Sequence, residues 1–117
     1  MKRELNPGDV VLVVFPYGDK AADKVHPALV LEADDQTVYL AYGTSARVDQ
    51  ASRLNSTVCM MDPEDLAFAS LHKPTAFHLD RRARVSRKKV MARLGALPVH
   101  KHMQLYRAAV AAGLLRG

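Results

Sequence analysis

Chemistry has few places to sit in this 117-residue sequence. Lys24-Val25-His26-Pro27 closes a polar segment that opens at Pro16-Tyr17-Gly18-Asp19-Lys20, and it puts a lone histidine where the chain returns to an apolar run. An unperturbed imidazole titrates near ~6.5, so a histidine at that point can take or give a proton at neutral pH. It can equally be an idle residue held by a backbone carbonyl. The second feature is charge. Residues 1–58 carry six Lys and Arg against eight Asp and Glu, net −2, whereas residues 59–117 carry eleven against four, net +7, which together make the +5 of the whole chain. The densest piece is Arg81-Arg82-Ala83-Arg84-Val85-Ser86-Arg87-Lys88-Lys89-Val90-Met91-Ala92-Arg93. Such a run attracts a polyanion through its field and through counterion release, with nucleic acid the leading candidate. It also reads as an edge strand blunted against aggregation, although it is longer than that purpose requires.

Other chemistries find little support. His100 and His102 are two apart and point in different directions on a helix, unlike the i, i+4 pair of a zinc helix. His72 and His78 stand six apart, and the single cysteine, Cys59, has no C-x-x-C partner, so no metal site and no internal disulfide are expected. Between Val58 and Met60 it reads as a small packed hydrophobe rather than a thiol nucleophile. The six glycines form neither a P-loop nor a dinucleotide fingerprint, and no cofactor is expected.

The elements that must position these residues follow from periodicity. Val10 to Phe15 and Ala28 to Ala33 read as strands flanking the polar segment. Asp34-Asp35 reads as a turn, and Thr37 to Tyr42 as a third strand ending at Gly43. Gly43 to Thr57 is polar and reads as a loop, Val58 to Met61 as a short strand, and Asp62-Pro63-Glu64-Asp65 as the cap and first turn of a short helix. Thr75 to Asp80 alternates as another strand, which the basic run continues with a bend. Val99, Met103, Tyr106, Val110 and Leu114 recur at steps of four, three, four and four, one face of a helix whose first turn Pro98 can occupy, and that face is expected to be core. The fold class is mainly β with α: a small SH3-like antiparallel barrel of five or six strands closed by a C-terminal helix, with residues 1–117 as a single domain. No apolar run approaches the roughly 20 residues that span a bilayer. No apolar segment of a leader follows Met1-Lys2-Arg3-Glu4, and a cytoplasmic protein without membrane contact is expected.

Five segments, taken in order, carry a resemblance. They are the opening Pro7-Gly8-Asp9-Val10-Val11-Leu12-Val13-Val14-Phe15-Pro16, the return from Lys24 through His26-Pro27-Ala28-Leu29-Val30-Leu31, and the strand end Ala41-Tyr42-Gly43-Thr44-Ser45-Ala46. Leu71-His72-Lys73-Pro74-Thr75-Ala76-Phe77 and Arg93-Leu94-Gly95-Ala96-Leu97 complete the set. Together they resemble the PemK/MazF family of toxin–antitoxin ribonucleases over nearly the whole chain. The resemblance implies an SH3-like barrel, a homodimer, metal-independent cleavage of single-stranded RNA, and a cognate antitoxin protein as partner. The active site of that family pairs the arginine of an R-P step after the first loop with a serine or threonine at the end of the third strand. Those positions hold His26 and Thr44 here, with Ser45 adjacent.

Arginine grips a phosphate bidentately and stays charged at any physiological pH, which histidine does not do reliably. Cleavage of RNA by its own 2′-hydroxyl needs a base for that hydroxyl, an acid for the leaving 5′-oxygen and donors for the phosphorane-like charge, and an imidazole suits the proton transfers. The resemblance therefore implies His26 as general acid/base, Thr44 as phosphate donor beside the backbone N–H groups near Gly43, and Lys24 or Arg47 as electrostatic support. Lys73 and Thr75 of the K-P-T step fall near bound RNA, and Arg81, Arg82 and Arg84 supply basic contacts. A second reading is a catalytically inactive barrel of the same family, acting as a nucleic-acid- or protein-binding regulatory module. The hydroxyls of Thr44 and Ser45 can also serve the turn after Gly43, and Pro74 alone can account for the strand entry. Met60-Met61 and Leu114-Leu115 are candidate dimer contacts.

Overall fold

In a computed structural model of the protein, residues 4–14 and 25–116 are described. The polar segment expected as a loop, with Lys24, lies outside those residues. Six strands, β1 (Asp9–Val14), β2 (Val25–Ala33), β3 (Thr37–Thr44), β4 (Thr57–Met60), β5 (Thr75–Ser86) and β6 (Val90–Ala96), form one antiparallel sheet in the order β4-β5-β3-β2-β1-β6. Bulges in β2, β5 and β6 bend this sheet. It stays open between β4 and β6, so the SH3-like barrel of the sequence reading is a curled sheet rather than a closed ring.

Both faces of the sheet are buried, which explains why β1 is an uninterrupted apolar run. Val11, Val13, Ala28, Val30, Val38 and Leu40 pack inside the curl, while their neighbours Val10, Leu29 and Ala41 point the other way, towards Met60, Phe77 and Leu79. That second face is covered by α3 (His102–Ala111), which follows a 3₁₀ turn at Val99–Lys101. Truncating Phe77, fully buried in this layer, removes a large side chain from a packed core, a change that costs about 3–5 kcal/mol.

The face of α3 that packs differs from the one the spacing predicts. Ala108 and Ala109 are buried, with Leu105, Ala112 and Leu114 packed beside them, whereas Val99, Met103 and Tyr106 are 81%, 60% and 46% exposed. Small side chains let the helix axis lie close to the sheet, so the alanine stripe seats and the larger stripe faces outward. The same close approach brings α3 to the β4 edge: Cys59 N–H donates to Gln104 Oε1 (3.1 Å) and Lys101 Nζ donates to the Cys59 carbonyl (2.9 Å). An edge strand that would otherwise present open backbone groups is capped by helix side chains.

Three further boundaries differ. β2 begins at Val25 rather than Ala28, so His26 stands in a strand, opposite Val13 of β1. A short helix, α1 (Val48–Ala51), interrupts the expected loop, with Val48 and Ala51 packed against Cys59 and Ala76. Of the candidate dimer contacts, Met60 is fully buried and Leu114 packs on the core, while Met61 and Leu115 are exposed. The cap of α2 (Pro63–Phe68) is as the sequence predicts: Glu64 N–H donates to Asp62 Oδ1 at 2.8 Å, with Pro63 in the first turn. The Asp34 turn is likewise formed, its Oδ1 accepting from Gln36 N–H and Thr37 N–H.

Candidate functional site

Two glycines shape one end of the sheet. A Cβ on Gly43 would lie 2.5 Å from the Pro27 carbonyl oxygen and 2.8 Å from the Phe77 ring, so β2 and β3 approach there as only a glycine allows. Across this pair Ala28 faces Tyr42 and Leu29 faces Ala41, and extending that register by two residues sets His26 opposite Thr44. Alternation puts His26, Tyr42 and Thr44 on one face, and the His26 and Tyr42 rings are in contact, with centroids 5.1 Å apart.

The second glycine, Gly95 of β6, leaves room for the end of α2: a Cβ there would meet the Phe68 carbonyl oxygen at 2.7 Å and Ala69 Cα at 2.8 Å. That helix closes with Leu71 N–H donating to the Leu66 carbonyl and Ser70 N–H to the Ala67 carbonyl, a Schellman turn. Its left-handed position holds Ser70 at φ 57° instead of the usual glycine. The turn directs residues 70–73 along the mouth of the sheet. Thr75, buried, donates its hydroxyl to the Lys73 carbonyl at 2.9 Å and pins the K-P-T step.

Between these walls lies a groove of about 420 Å³. His26, Thr44 and Ser45 line it from the β2–β3 end, Ser70, His72 and Lys73 from the turn after α2, and Leu12 and Leu94 from β1 and β6. Thr44 Oγ1 accepts from Ala46 N–H at 3.1 Å, which orients the hydroxyl and leaves its own hydrogen to donate. Arg47 lines the adjoining depression with Ser45 and Lys73. It too is left-handed, at φ 54°, so among the described residues the two non-glycine positions of that conformation, Arg47 and Ser70, flank the groove. Such strain, of order 1–3 kcal/mol each, persists where surrounding structure enforces it and clusters at binding sites.

The structure thus brings together His26, Thr44, Ser45, Lys73 and Thr75, with Arg47 alongside. Sequence reasoning weighed His72 only as a metal ligand, and its place in the groove could be read only from the turn that precedes it. The basic strand divides. Arg81 lies over the Tyr42 ring, 4.6 Å from its centroid. Arg82 donates from Nη1 to the Ala112 carbonyl at the end of α3 (3.3 Å), and Arg84 pairs with Glu32 at 3.1 Å and stacks on Tyr39, towards the far end of β3.

Arg93, within the same basic stretch, forks onto the buried Asp9: Nε meets Oδ2 at 3.1 Å and Nη2 meets Oδ1 at 3.2 Å. The hydrogen bond that Arg93 donates to the Asp9 carboxylate holds its guanidinium further into the charged range. Burial pushes the Cys59 thiol up, away from the thiolate that nucleophilic chemistry requires. Among the described residues no helix is long and apolar enough to cross a membrane.

A curled six-stranded antiparallel sheet with a terminal helix on one face and a groove at its mouth defines a small barrel-like β architecture. The family of PemK-like, MazF-like toxins of type II toxin–antitoxin systems matches residues 6–112, and the chain belongs to it. Solved structures agree on the fold. The Mycobacterium tuberculosis toxin MazF-mt6 is similar over 96% of this chain and 100% of its own, with a TM-score of 0.71 at 19% identity. An endoribonuclease in complex with its cognate antitoxin, from a mycobacterial species, is similar over 97% and 100%, with a TM-score of 0.69 at 18% identity. A second mycobacterial endoribonuclease is similar over 95% and 93%, with a TM-score of 0.65 at 17% identity. A search of curated proteins found no significant match.

Proposed function

We propose that this protein is a toxin that cleaves single-stranded RNA through the RNA's own 2′-hydroxyl, without a metal ion. The observation that supports the reading is that His26 and Thr44 line one groove together with Lys73 and His72. His26 takes the proton of the 2′-hydroxyl, whose oxygen attacks the adjacent phosphorus. The bond to the 5′-oxygen breaks, and His72, from the turn after α2, returns a proton to it, leaving a 2′,3′-cyclic phosphate and a 5′-hydroxyl. The Thr44 hydroxyl and Lys73 ammonium stabilise the charge on the phosphate oxygens. Ser45 and Arg47 support the strand in the groove, Thr75 fixes the turn that carries Lys73, and Arg82 and Arg84 add to the field from the far part of β5.

The family and the mycobacterial neighbour solved with its antitoxin support an antitoxin protein as inhibitor. A homodimer working in the cytoplasm completes the reading. It is tested by comparing the protein with His26→Ala on a long single-stranded RNA. Loss of cutting by about a hundredfold or more is expected, and equal cutting by the variant overturns the assignment. RNA binding without any cutting by the parent would instead favour the non-catalytic barrel.

A further inference from the structure

A histidine that takes a proton from a hydroxyl must aim one ring nitrogen at it, and such a base is ordinarily oriented by a third group that accepts a hydrogen bond from its other nitrogen. Among the described residues no hydrogen bond or ion pair holds the His26 imidazole. What it has instead is a ring contact: its centroid lies 5.1 Å from that of Tyr42, with 51° between the two planes. The geometry points to Tyr42 as the positioning residue that aims this imidazole into the groove. The inference rests on reading His26 as the base of RNA cleavage, and deepens it by assigning what holds the base in place.

A side chain can position another only if it is itself fixed, and Tyr42 is. Its backbone pairs with Ala28 of β2 on one side and with His78 of β5 on the other, and its side chain packs against the core inside the curl. Tyr42 pairs with His78 while the preceding residue, Ala41, pairs with Arg82, so Leu79, Asp80 and Arg81 are in excess on β5. Bulges re-aim side chains, and this one lays the Arg81 guanidinium over the Tyr42 ring at 4.6 Å, which holds the ring from a further direction. Directly across from Tyr42 stands only the methyl of Ala28, and His26, two residues before it, is the diagonal neighbour that an aromatic ring can reach. The second torsion of a histidine is soft, so contact with a fixed ring removes the orientations that would swing the imidazole out of the groove it lines with Thr44. Tyr39 shows the contrast: it lies in the same strand beneath Arg84, 5.0 Å from its centroid, and its partner on β2 is Glu32 rather than a residue beside the groove.

The test uses the full-length protein, Tyr42→Leu, Tyr42→Phe, and Tyr39→Leu as a control that removes the same ring from the same strand. Three quantities are read: the single-turnover rate on single-stranded RNA, the affinity for a mixed-sequence 2′-deoxy single strand, and the proton resonance of the His26 ring, identified among the five histidines by its loss in His26→Ala. Tyr42→Leu is expected to lower the rate about tenfold, less than loss of the imidazole itself, because the base is retained but misdirected. Affinity stays at the parent value, and the His26 resonance moves as the neighbouring ring is withdrawn. Tyr42→Phe, which keeps the ring, recovers most of the rate and the parent resonance, and Tyr39→Leu leaves both unchanged. Tyr42→Met, unbranched and adaptable in a packed site, replaces the Leu variant should that melt early. Cutting by Tyr42→Leu at the parent rate, a His26 resonance that does not move, a Phe variant as slow as the Leu variant, or an equal loss in Tyr39→Leu overturns the inference. A fall in affinity that matches the fall in rate overturns it too, by making Tyr42 a binding residue. A parent that cuts no RNA overturns the ribonuclease reading separately, and the resonance still decides whether Tyr42 holds the imidazole.

Discussion

Gly43 lies against Pro27 with no room for a side chain: a Cβ on the glycine would stand 2.5 Å from the proline carbonyl oxygen. This contact holds together the strand ends that bring His26 and Thr44 to one groove. Gly43→Ala must push β2 and β3 apart or displace Phe77, and is expected to destabilise the protein by about 3 kcal/mol. Urea unfolding measures the loss. Because the strands separate at the groove, cleavage measured on the folded fraction should fall as well. A variant as stable and active as the parent would show that the close approach positions nothing.

His72→Gln tests the turn after α2. The residue is exposed in the turn after Ser70, so stability should barely change, whereas cleavage should fall about a hundredfold with RNA affinity retained. Single-turnover rates and binding to a 2′-deoxy strand separate the two effects, and a loss of affinity alone would assign His72 to binding instead.

Asp9 is 4% exposed and accepts from Arg93 twice and from Asn6 N–H at 2.9 Å. Its removal leaves an unmatched guanidinium and an unpaired amide between β1 and β6, and Asp9→Ala is expected to cost about 2 kcal/mol in urea melts at pH 7. A smaller change in Asp9→Ala than in an exposed control such as Asp49→Ala would contradict the structural role given to Asp9.

His78 sets a pH dependence of stability. Burial pushes its imidazole below the ordinary 6.5, with Asp80 and Arg81 acting in opposite directions. The unfolded chain therefore takes up the proton first. Stability contributed by the neutral form is complete above about pH 6.5 and is lost as the pH falls through the depressed folded value. Melting temperature should fall on acidification from pH 7 to 5, and His78→Gln should flatten part of that fall. An unchanged pH profile in the variant would assign the acid sensitivity elsewhere.

Much of the architecture was legible because a sheet buried on both faces leaves a plain signal: unbroken β-branched runs at Val10–Val14 and Ala28–Leu31, an Asp turn, and an Asp-Pro helix start. The seating of α3 was not, because periodicity weighted by side-chain size selects Val99, Met103 and Tyr106, while close packing on the sheet selects Ala108 and Ala109. Of the site, His26 and Thr44 could be matched by position. The groove walls depend on features no local pattern announces: a non-glycine Schellman turn at Ser70, the space left by Gly95, and the three-residue excess on β5 that turns Arg81 toward Tyr42.

The central claim is that the chain's own imidazoles move the protons of RNA cleavage. The measurement that tests it most directly is the chemistry of the ends produced when purified protein meets a long single-stranded RNA in excess EDTA. The account predicts discrete cuts bearing 2′,3′-cyclic phosphate and 5′-hydroxyl termini, abolished when the 2′-hydroxyl at the cut is replaced by hydrogen. Cuts bearing 5′-phosphate, cuts that persist at a 2′-deoxy position, or RNA left whole at saturating protein would contradict it.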